Sequence, residues 1–254
     1  MPYRRHPFSD VRALILREAR RYPDASRIFL ADGDVMRRPF EELRDILHLL
    51  NASFPRLARV SLYANGASVA AKTDDQLRAL RALKLHTLYL GLESGDEEVL
   101  RRCRKGQTAS QMVQAGGLAQ AAGLRLSVMV LLGLGGDDRS REHIAATADA
   151  LNRMQPRLLS ALRVIPIPGT ALHDEARSGR FRQVTEWAAV QELRDLIDGL
   201  AMTSTVFRAN HSSNVVPLEG RLPRDTERLL AALDALLASD ALDRYTPGPM
   251  PLSL

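Results

Sequence analysis

Short apolar segments alternate with helix-like segments along most of this chain. Arg27–Ala31 is one such apolar run, and apolar residues with helical spacing follow it between Pro39 and Leu50. The pattern predicts strands at 27–31, 59–63, 87–92, 126–132 and 158–165, and helices at 9–22, 39–50, 73–83, 108–122 and 140–154. Nearly continuous apolar strands separated by amphipathic helices are typical of a parallel α/β sheet, closed into a barrel or doubly wound. Ligands of such sheets bind at the carboxyl ends of the strands, so we expect the functional site there.

The series begins in the middle of a strand–helix unit, because the first predicted element is a helix with no strand before it. After residue 181 the pattern changes to a long helix at 185–203, a loop containing Asn210 and His211, and a helix at 225–238. This predicts an α/β domain over residues 1–181 and a mainly helical C-terminal extension over residues 182–254.

Composition limits the protein class. The chain has 254 residues, of which 45% are hydrophobic and 26% charged, and these are ordinary globular values. No apolar run approaches the roughly 20 residues that cross a bilayer, nothing resembles a secretion signal, and the single cysteine excludes an internal disulfide. We therefore expect a cytoplasmic protein without membrane partners. The net charge of +5 leaves weak nucleic-acid binding open, although no basic stripe is interleaved with aromatic residues.

Polar and glycine-rich residues follow the predicted strands. Asp32-Gly33-Asp34 follows the first strand, either as a ligand-binding pair of carboxylates or as an ordinary turn. Glu93 ends the third strand, where a charged group needs solvent or a ligand. Gly133-Leu134-Gly135-Gly136 follows the fourth strand and permits close backbone approach, but it lacks the spacing of a dinucleotide-binding motif. Ile165 precedes a proline-broken segment after the fifth strand, where backbone groups are free to bond a flat base.

In their order and spacing, these segments resemble the radical S-adenosylmethionine (SAM) superfamily, in the branch of the oxygen-independent coproporphyrinogen oxidases and Elp3-type proteins. The resemblance implies a partial (β/α) barrel over residues 1–181 that lacks its first strand. It also implies SAM contacts: the methionine amino group near the first strand, ribose or carboxylate near the third, and adenine near the last two. The residues that carry these implied contacts are Asp32, Gly33, Asp34, Glu93, Ser94, Gly133, Gly135, Gly136 and Ile165.

The family's cluster-binding segment is missing from the sequence. Family members hold a [4Fe–4S] cluster with a Cys-x3-Cys-x2-Cys loop after the first strand, and the cluster reduces SAM to methionine and a 5′-deoxyadenosyl radical. This chain has only Cys103, and its six histidines show no metal-binding spacing. For His211 we expect a structural role or a contact with the substrate, and no role in catalysis. The sequence therefore predicts no cluster ligands within this chain, and it leaves the catalytic residues unknown.

Three explanations of the missing cysteines remain open. The chain is a truncated radical SAM protein, inactive as written; or it is a cluster-free descendant that binds SAM or a nucleotide. The third explanation is an ordinary α/β enzyme that uses Asp32, Asp34 and Glu93 as acid–base or metal-binding carboxylates. Truncation also predicts self-association through the edge of the strand at 27–31. The substrate, small or macromolecular, is unknown, and an intact form needs an electron donor.

Overall fold

Seven strands form one mostly parallel sheet in the computed structural model, which describes residues 5–31 and 33–248. The strands are β1 (Arg27–Leu30), β2 (Arg59–Ala64), β3 (Leu85–Glu93), β4 (Arg125–Leu132), β5 (Leu158–Arg163), β6 (Thr205–Arg208) and β7 (Glu219–Leu222), and they neighbour one another in that order. β1 pairs in parallel with β2, β2 with β3, and β5 with β6, whereas β6 and β7 are antiparallel. β1 and β7 end the strand order, so the sheet is not closed.

Helices connect the strands as the periodicity predicts. The helices are α1 (Phe8–Arg21), α2 (Phe40–Ser53), α3 (Gly66–Ala70), α4 (Asp74–Ala82), α5 (Glu97–Arg102), α6 (Ala109–Ala121), α7 (Ser140–Met154), α8 (Ala171–Arg177), α9 (Glu186–Gly199) and α10 (Thr226–Leu237). Thr73 is the N-cap of α4: its hydroxyl accepts the Gln76 N–H, and the Gln76 side chain accepts the Thr73 N–H. The short helices α3 and α8 were not predicted.

The described residues form two compact units. One contains Gln114–Ser127 and the described residues up to Gly91. Its core is built by α2, α4 and one face of the strands, from fully buried residues that include Leu43, Leu47, Leu62, Leu77 and Leu88. The other unit contains Leu92–Val113 and the described residues from Val128 onward. In it, α9 packs against both α7 and α10. The domain boundary predicted after residue 181 remains a prediction.

The C-terminal extension contains two strands that the sequence reasoning missed. β6 lies beside β5, with Leu158 level with Val206, and β7 returns antiparallel with Arg221 opposite Val206. Each strand has only four residues, which is too short for an alternating pattern to be recognised. Their strand conformation depends on pairing with β5 rather than on local sequence.

Within the described residues, none of the helices has the length and apolar character needed to span a bilayer. The cytoplasmic location predicted from the sequence remains an expectation.

Candidate functional site

Glu93 is the last residue of β3, and it has a cationic partner that the sequence reasoning missed. Lys105 donates a hydrogen bond from Nζ to Glu93 Oε1 at 2.9 Å, and both side chains are partly exposed. The backbone of Glu93 is in the left-handed region, with φ of 64°, which is uncommon for a residue with a Cβ. Among the described residues no partner is found for Oε2 of Glu93. One carboxylate oxygen is therefore paired, and the other is available to a ligand.

Ser94 is fully buried and bonded to a histidine of α7. The Ser94 hydroxyl donates to Nδ1 of His143 at 2.7 Å and accepts the Asp96 N–H at 2.9 Å. Nε2 of His143 lies 3.0 Å from the Leu131 carbonyl oxygen; because a carbonyl only accepts, Nε2 carries the proton. Burial lowers the pKa of His143 to about 4, although the Leu131 carbonyl opposes this shift. Neutral His143 thus joins the exit of β3 to the end of β4, and the Ser94 hydroxyl is already committed to protein contacts.

Gly95 lets α7 pack directly against the β3 exit. A Cβ at Gly95 would lie 2.1 Å from the Ala146 carbonyl oxygen, so only glycine fits. The Gly95 N–H also donates to Thr147 Oγ1 at 2.8 Å. The next residue, Asp96, caps α5 and pairs with Arg139 at 2.7 Å. Burial alone would raise the pKa of Asp96, but the hydrogen bonds from Arg139 and the α5 N–H groups outweigh burial and lower it.

The glycine-rich loop after β4 is buried and tightly packed. Gly133 and Gly136 have φ of 76° and 67°, a conformation that favours glycine. A Cβ at Gly135 would lie 2.9 Å from the His143 Cβ and 3.0 Å from the Arg139 carbonyl oxygen. Packing and turn geometry therefore account for these glycines without a ligand. That the backbone of Gly133, Gly135 and Gly136 contacts a ligand remains a prediction.

Glu192 of α9 accepts hydrogen bonds from this loop and from the start of α7. The sequence reasoning missed this residue. The Gly133 N–H donates to Oε2 of Glu192 at 2.5 Å, and the Ser140 hydroxyl donates to Oε1 at 2.6 Å. Glu192 is only 2% exposed, and burial raises its pKa to about 7 despite those two hydrogen bonds. Helical spacing offered a signal, because Glu192 lies on the same face as the buried α9 residues Ala189, Val190, Leu193, Leu196 and Ile197.

Ile165 lies just beyond β5 and has free backbone groups. The preceding Val164 N–H donates to the Leu132 carbonyl at 2.9 Å, but neither the N–H nor the carbonyl of Ile165 has a partner within the described part of the chain. Arg163 braces the same strand end by donating to the Ser213 and Pro247 carbonyls, each at 2.8 Å, and burial lowers its pKa. The strand end is thus held rigidly while one donor and one acceptor remain available to a flat ligand.

In the first unit, Asp34 follows β1 and is bonded to the exit of β2. It accepts the Asn65 N–H at 3.3 Å and the Ser68 hydroxyl, which leaves each carboxylate oxygen one further lone pair. Lys72 lies nearby and donates to the Met36 carbonyl at 3.0 Å; burial lowers its pKa, and Asp34 opposes that shift. Gly33 has φ of 80° and open space around it. Asp32 lies outside the described residues.

The residues present do not fit an iron–sulfur cluster. Such a cluster needs several thiolates, whereas the chain has only Cys103, an exposed residue at the end of α5. Across residues 5–31 and 33–248, no group of three or more His, Cys, Asp or Glu is arranged to hold a metal ion. His211 is exposed, and its Nδ1 lies 2.9 Å from Ser213 Oγ within its own loop. The ligand contacts predicted for Ile165 and Glu93 remain predictions.

Sequence comparison gives one family and one curated relative. The family model of the radical SAM superfamily matches residues 2–149, which is more than half of the chain. An uncharacterized methyltransferase from Pyrococcus horikoshii is 26% identical over 110 residues. That alignment covers 43% of this chain but only 24% of the methyltransferase, so the chain spans a minor part of this relative.

Three solved structures illustrate the fold that this chain shares with other proteins. Elp3 of Methanocaldococcus infernus with an N-terminal deletion has a TM-score of 0.59 and 15% identity, covering 91% of this chain and 59% of that one. Coproporphyrinogen III oxidase of Escherichia coli, a radical SAM enzyme, has a TM-score of 0.60 and 16% identity, covering 75% and 44%. Methylornithine synthase has a TM-score of 0.55 and 16% identity, covering 93% and 74%. At these identities the likeness shows the fold alone, and it confirms the predicted open, mostly parallel α/β fold.

Proposed function

Because this chain belongs to the radical SAM superfamily, we propose that it binds SAM at the carboxyl ends of its strands and serves radical SAM chemistry on an unidentified substrate. The observation that carries the proposal is the free backbone of Ile165, whose N–H and carbonyl suit the edge of an adenine ring. Oε2 of Glu93 suits a ribose hydroxyl, while Oε1 of the same carboxylate accepts a hydrogen bond from Lys105. For Asp34 of the first unit, a contact with the methionine amino group remains what the family resemblance implies.

The chain itself does not supply the ligands for reductive SAM cleavage. That reaction takes its electron from a [4Fe–4S] cluster, and one thiolate cannot hold such a cluster. The proposal for this chain is therefore restricted to binding and orienting SAM. The single cysteine favours a second candidate, in which the chain is a cluster-free protein that binds SAM or another nucleoside.

Calorimetric titration with SAM tests the binding proposal. We expect SAM to bind the wild-type chain, and methionine alone to bind much more weakly because it lacks the adenosine that meets Ile165. Replacing Glu93 with Gln removes the charge but preserves the shape, and should weaken SAM binding about ten-fold or more. Glu227→Gln on α10 is the matched control, because Glu227 is exposed and remote in sequence from these strand ends. Absence of SAM binding, or equal weakening by both substitutions, contradicts the proposal.

Anaerobic reconstitution with iron and sulfide tests whether this chain holds a cluster by itself. We expect the chain to remain without the broad visible absorption of a cluster while it still binds SAM. A stable cluster with stoichiometric iron would show that ligands other than Cys103 suffice, and would support cluster chemistry within this chain.

A further inference from the structure

Three aromatic residues of the first unit share one face of its strands. Along β2, Val60 and Leu62 are buried, so the alternating residues between and beyond them point to the opposite face. Tyr63 belongs to that opposite face and is level with Tyr89 of β3. Phe29 of β1 is level with Ser61, two residues before Tyr63 on the same face. We name Phe29, Tyr63 and Tyr89 the aromatic wall.

The aromatic wall is preorganised by contacts between its own rings. The Phe29 centroid lies 4.8 Å from that of Tyr63 and 4.9 Å from that of Tyr89, with interplanar angles of 78° and 83°. The two tyrosine rings are 6.1 Å apart at 80°. Edge-to-face contacts of this kind hold each ring in place, so little conformational freedom is lost when a ligand binds.

The aromatic wall is also accessible. Phe29 is 40% exposed and Tyr63 is 38% exposed, which is unusual for large rings on a sheet face whose other side forms the core. Within the described part of the chain, the hydroxyls of Tyr63 and Tyr89 make no hydrogen bond. An aromatic surface with a few free polar groups is the usual lining of a small-molecule site.

Two arginines extend the same face toward the amino ends of the strands. Arg27 and Arg59 are level with each other on β1 and β2. Each lies two residues before the next level pair on the same face, which is Phe29 and Ser61. No described acidic side chain forms an ion pair with either of them. The face therefore changes from aromatic to cationic over a distance that one medium-sized ligand can span.

The aromatic wall continues into the strand exits of the same unit. Asp34 follows β1 and accepts the N–H of Asn65, which directly follows Tyr63 and Ala64 at the end of β2. Ligands of parallel α/β sheets bind at these carboxyl ends. A molecule that lies on the aromatic wall is thus adjacent to the loop of Asp34, for which the family resemblance implies a contact with the methionine amino group.

From these observations we infer that the aromatic wall is the substrate subsite, and that the substrate carries a flat apolar ring and an anionic group. The ring lies against Tyr63 and Phe29, and the anionic group faces Arg27 and Arg59. This inference rests on the proposed function, because it assigns a substrate to a SAM-binding protein. It does not depend on which reaction the substrate undergoes.

Fluorescence titration with two probes tests the inference. Anilinonaphthalene sulfonate has flat rings and an anionic group, and N-phenylnaphthylamine has the rings without the anion. Replacing Tyr63 with Leu should weaken both probes by about three- to ten-fold, since ring contacts are lost. Arg59→Gln should weaken only the sulfonate, by about two- to five-fold. Tyr22→Leu is the matched control, because Tyr22 is 51% exposed at the end of α1 and outside the aromatic wall.

Each other outcome overturns the inference. Equal effects of the Tyr63 and Tyr22 substitutions would show that the probes bind elsewhere. Equal effects of Arg59→Gln on both probes would show that the site does not recognise the anionic group. If sedimentation shows a dimer that dissociates in Phe29→Leu and excludes the probes, the aromatic wall is an interface between copies instead. SAM titration of the same variants separates the two proposals: failure of the wild type to bind SAM refutes the proposed function, whereas the probe titrations alone decide whether the aromatic wall binds a ligand.

Discussion

The buried carboxyl group of Glu192 should make the stability of this protein depend on pH in a specific direction. Burial raises its pKa from the ordinary 4.5 to about 7. Between these pH values the folded protein keeps the proton that the unfolded chain releases, so protonation stabilises the fold fully below about pH 4.5. That contribution is lost as the pH rises through about 7. At about 1.4 kcal/mol per pKa unit, the loss corresponds to about 3 kcal/mol.

Glu192→Gln isolates this effect. Glutamine does not titrate, its carbonyl oxygen still accepts the Gly133 N–H, and its amide can donate to the Ser140 hydroxyl. The two proteins should have similar free energies of unfolding near pH 5, and at pH 8 the Gln variant should be more stable by about 3 kcal/mol. Urea denaturation followed by tryptophan fluorescence is a suitable assay, because the only tryptophan, Trp187, lies on the same helix as Glu192.

A constant difference in stability between pH 5 and pH 8 would refute the reasoning, since it would mean that burial does not dominate the pKa of Glu192. A wild-type protein that gains stability over the Gln variant as the pH rises would show that the hydrogen bonds from Gly133 and Ser140 outweigh burial. Glu227→Gln, an exposed change of the same kind, should leave the pH dependence unaltered.

Three further substitutions test local packing by thermal or urea denaturation. His143→Ala should cost about 3 kcal/mol, because a cavity forms and two buried hydrogen bonds are lost; a loss below 1 kcal/mol would contradict the bridging role. Gly95→Ala should cost about 2 kcal/mol or more, because its methyl group would collide with the Ala146 carbonyl; a neutral effect would mean that α7 shifts freely. Thr73→Ala should cost about 1 kcal/mol through loss of the capping box with Gln76, and no change would show that the cap is not formed.

Much of the fold could be predicted from the sequence, because its periodic segments are long. The helix predicted at 140–154 has those bounds in the structure, and the strand predicted at 126–132 differs by one residue. Burial on one face of a helix or on both faces of a central strand leaves a pattern that does not depend on tertiary detail. β6 and β7 left no such pattern, since each has four residues and is defined by its neighbour in the sheet.

The candidate site was less predictable, because its contacts join residues far apart in the chain. Glu93 was conspicuous as an acid at a strand end, but its partner Lys105 lies twelve positions later, in a loop whose path follows no periodic rule. Glu192 is 59 positions from Gly133, to which it is bonded. Glu192 shares the spacing of the buried α9 residues, yet only the folded structure shows which donors meet its carboxylate.

His143 and Glu192 support the strand exits in different ways, because only Glu192 has a pKa near neutral pH. His143 is neutral above about pH 4, so its bonds to Ser94 and Leu131 keep two strand exits in register at every pH where the protein is expected to work. Burial raises the pKa of Glu192 to about 7, so the charge beside the loop that it supports changes in that pH range. SAM affinity that depends on the Gly133 loop should therefore respond to pH in the wild type and lose that response in Glu192→Gln. Glu93→Gln should weaken affinity at every pH instead, because its effect arises at the ligand itself.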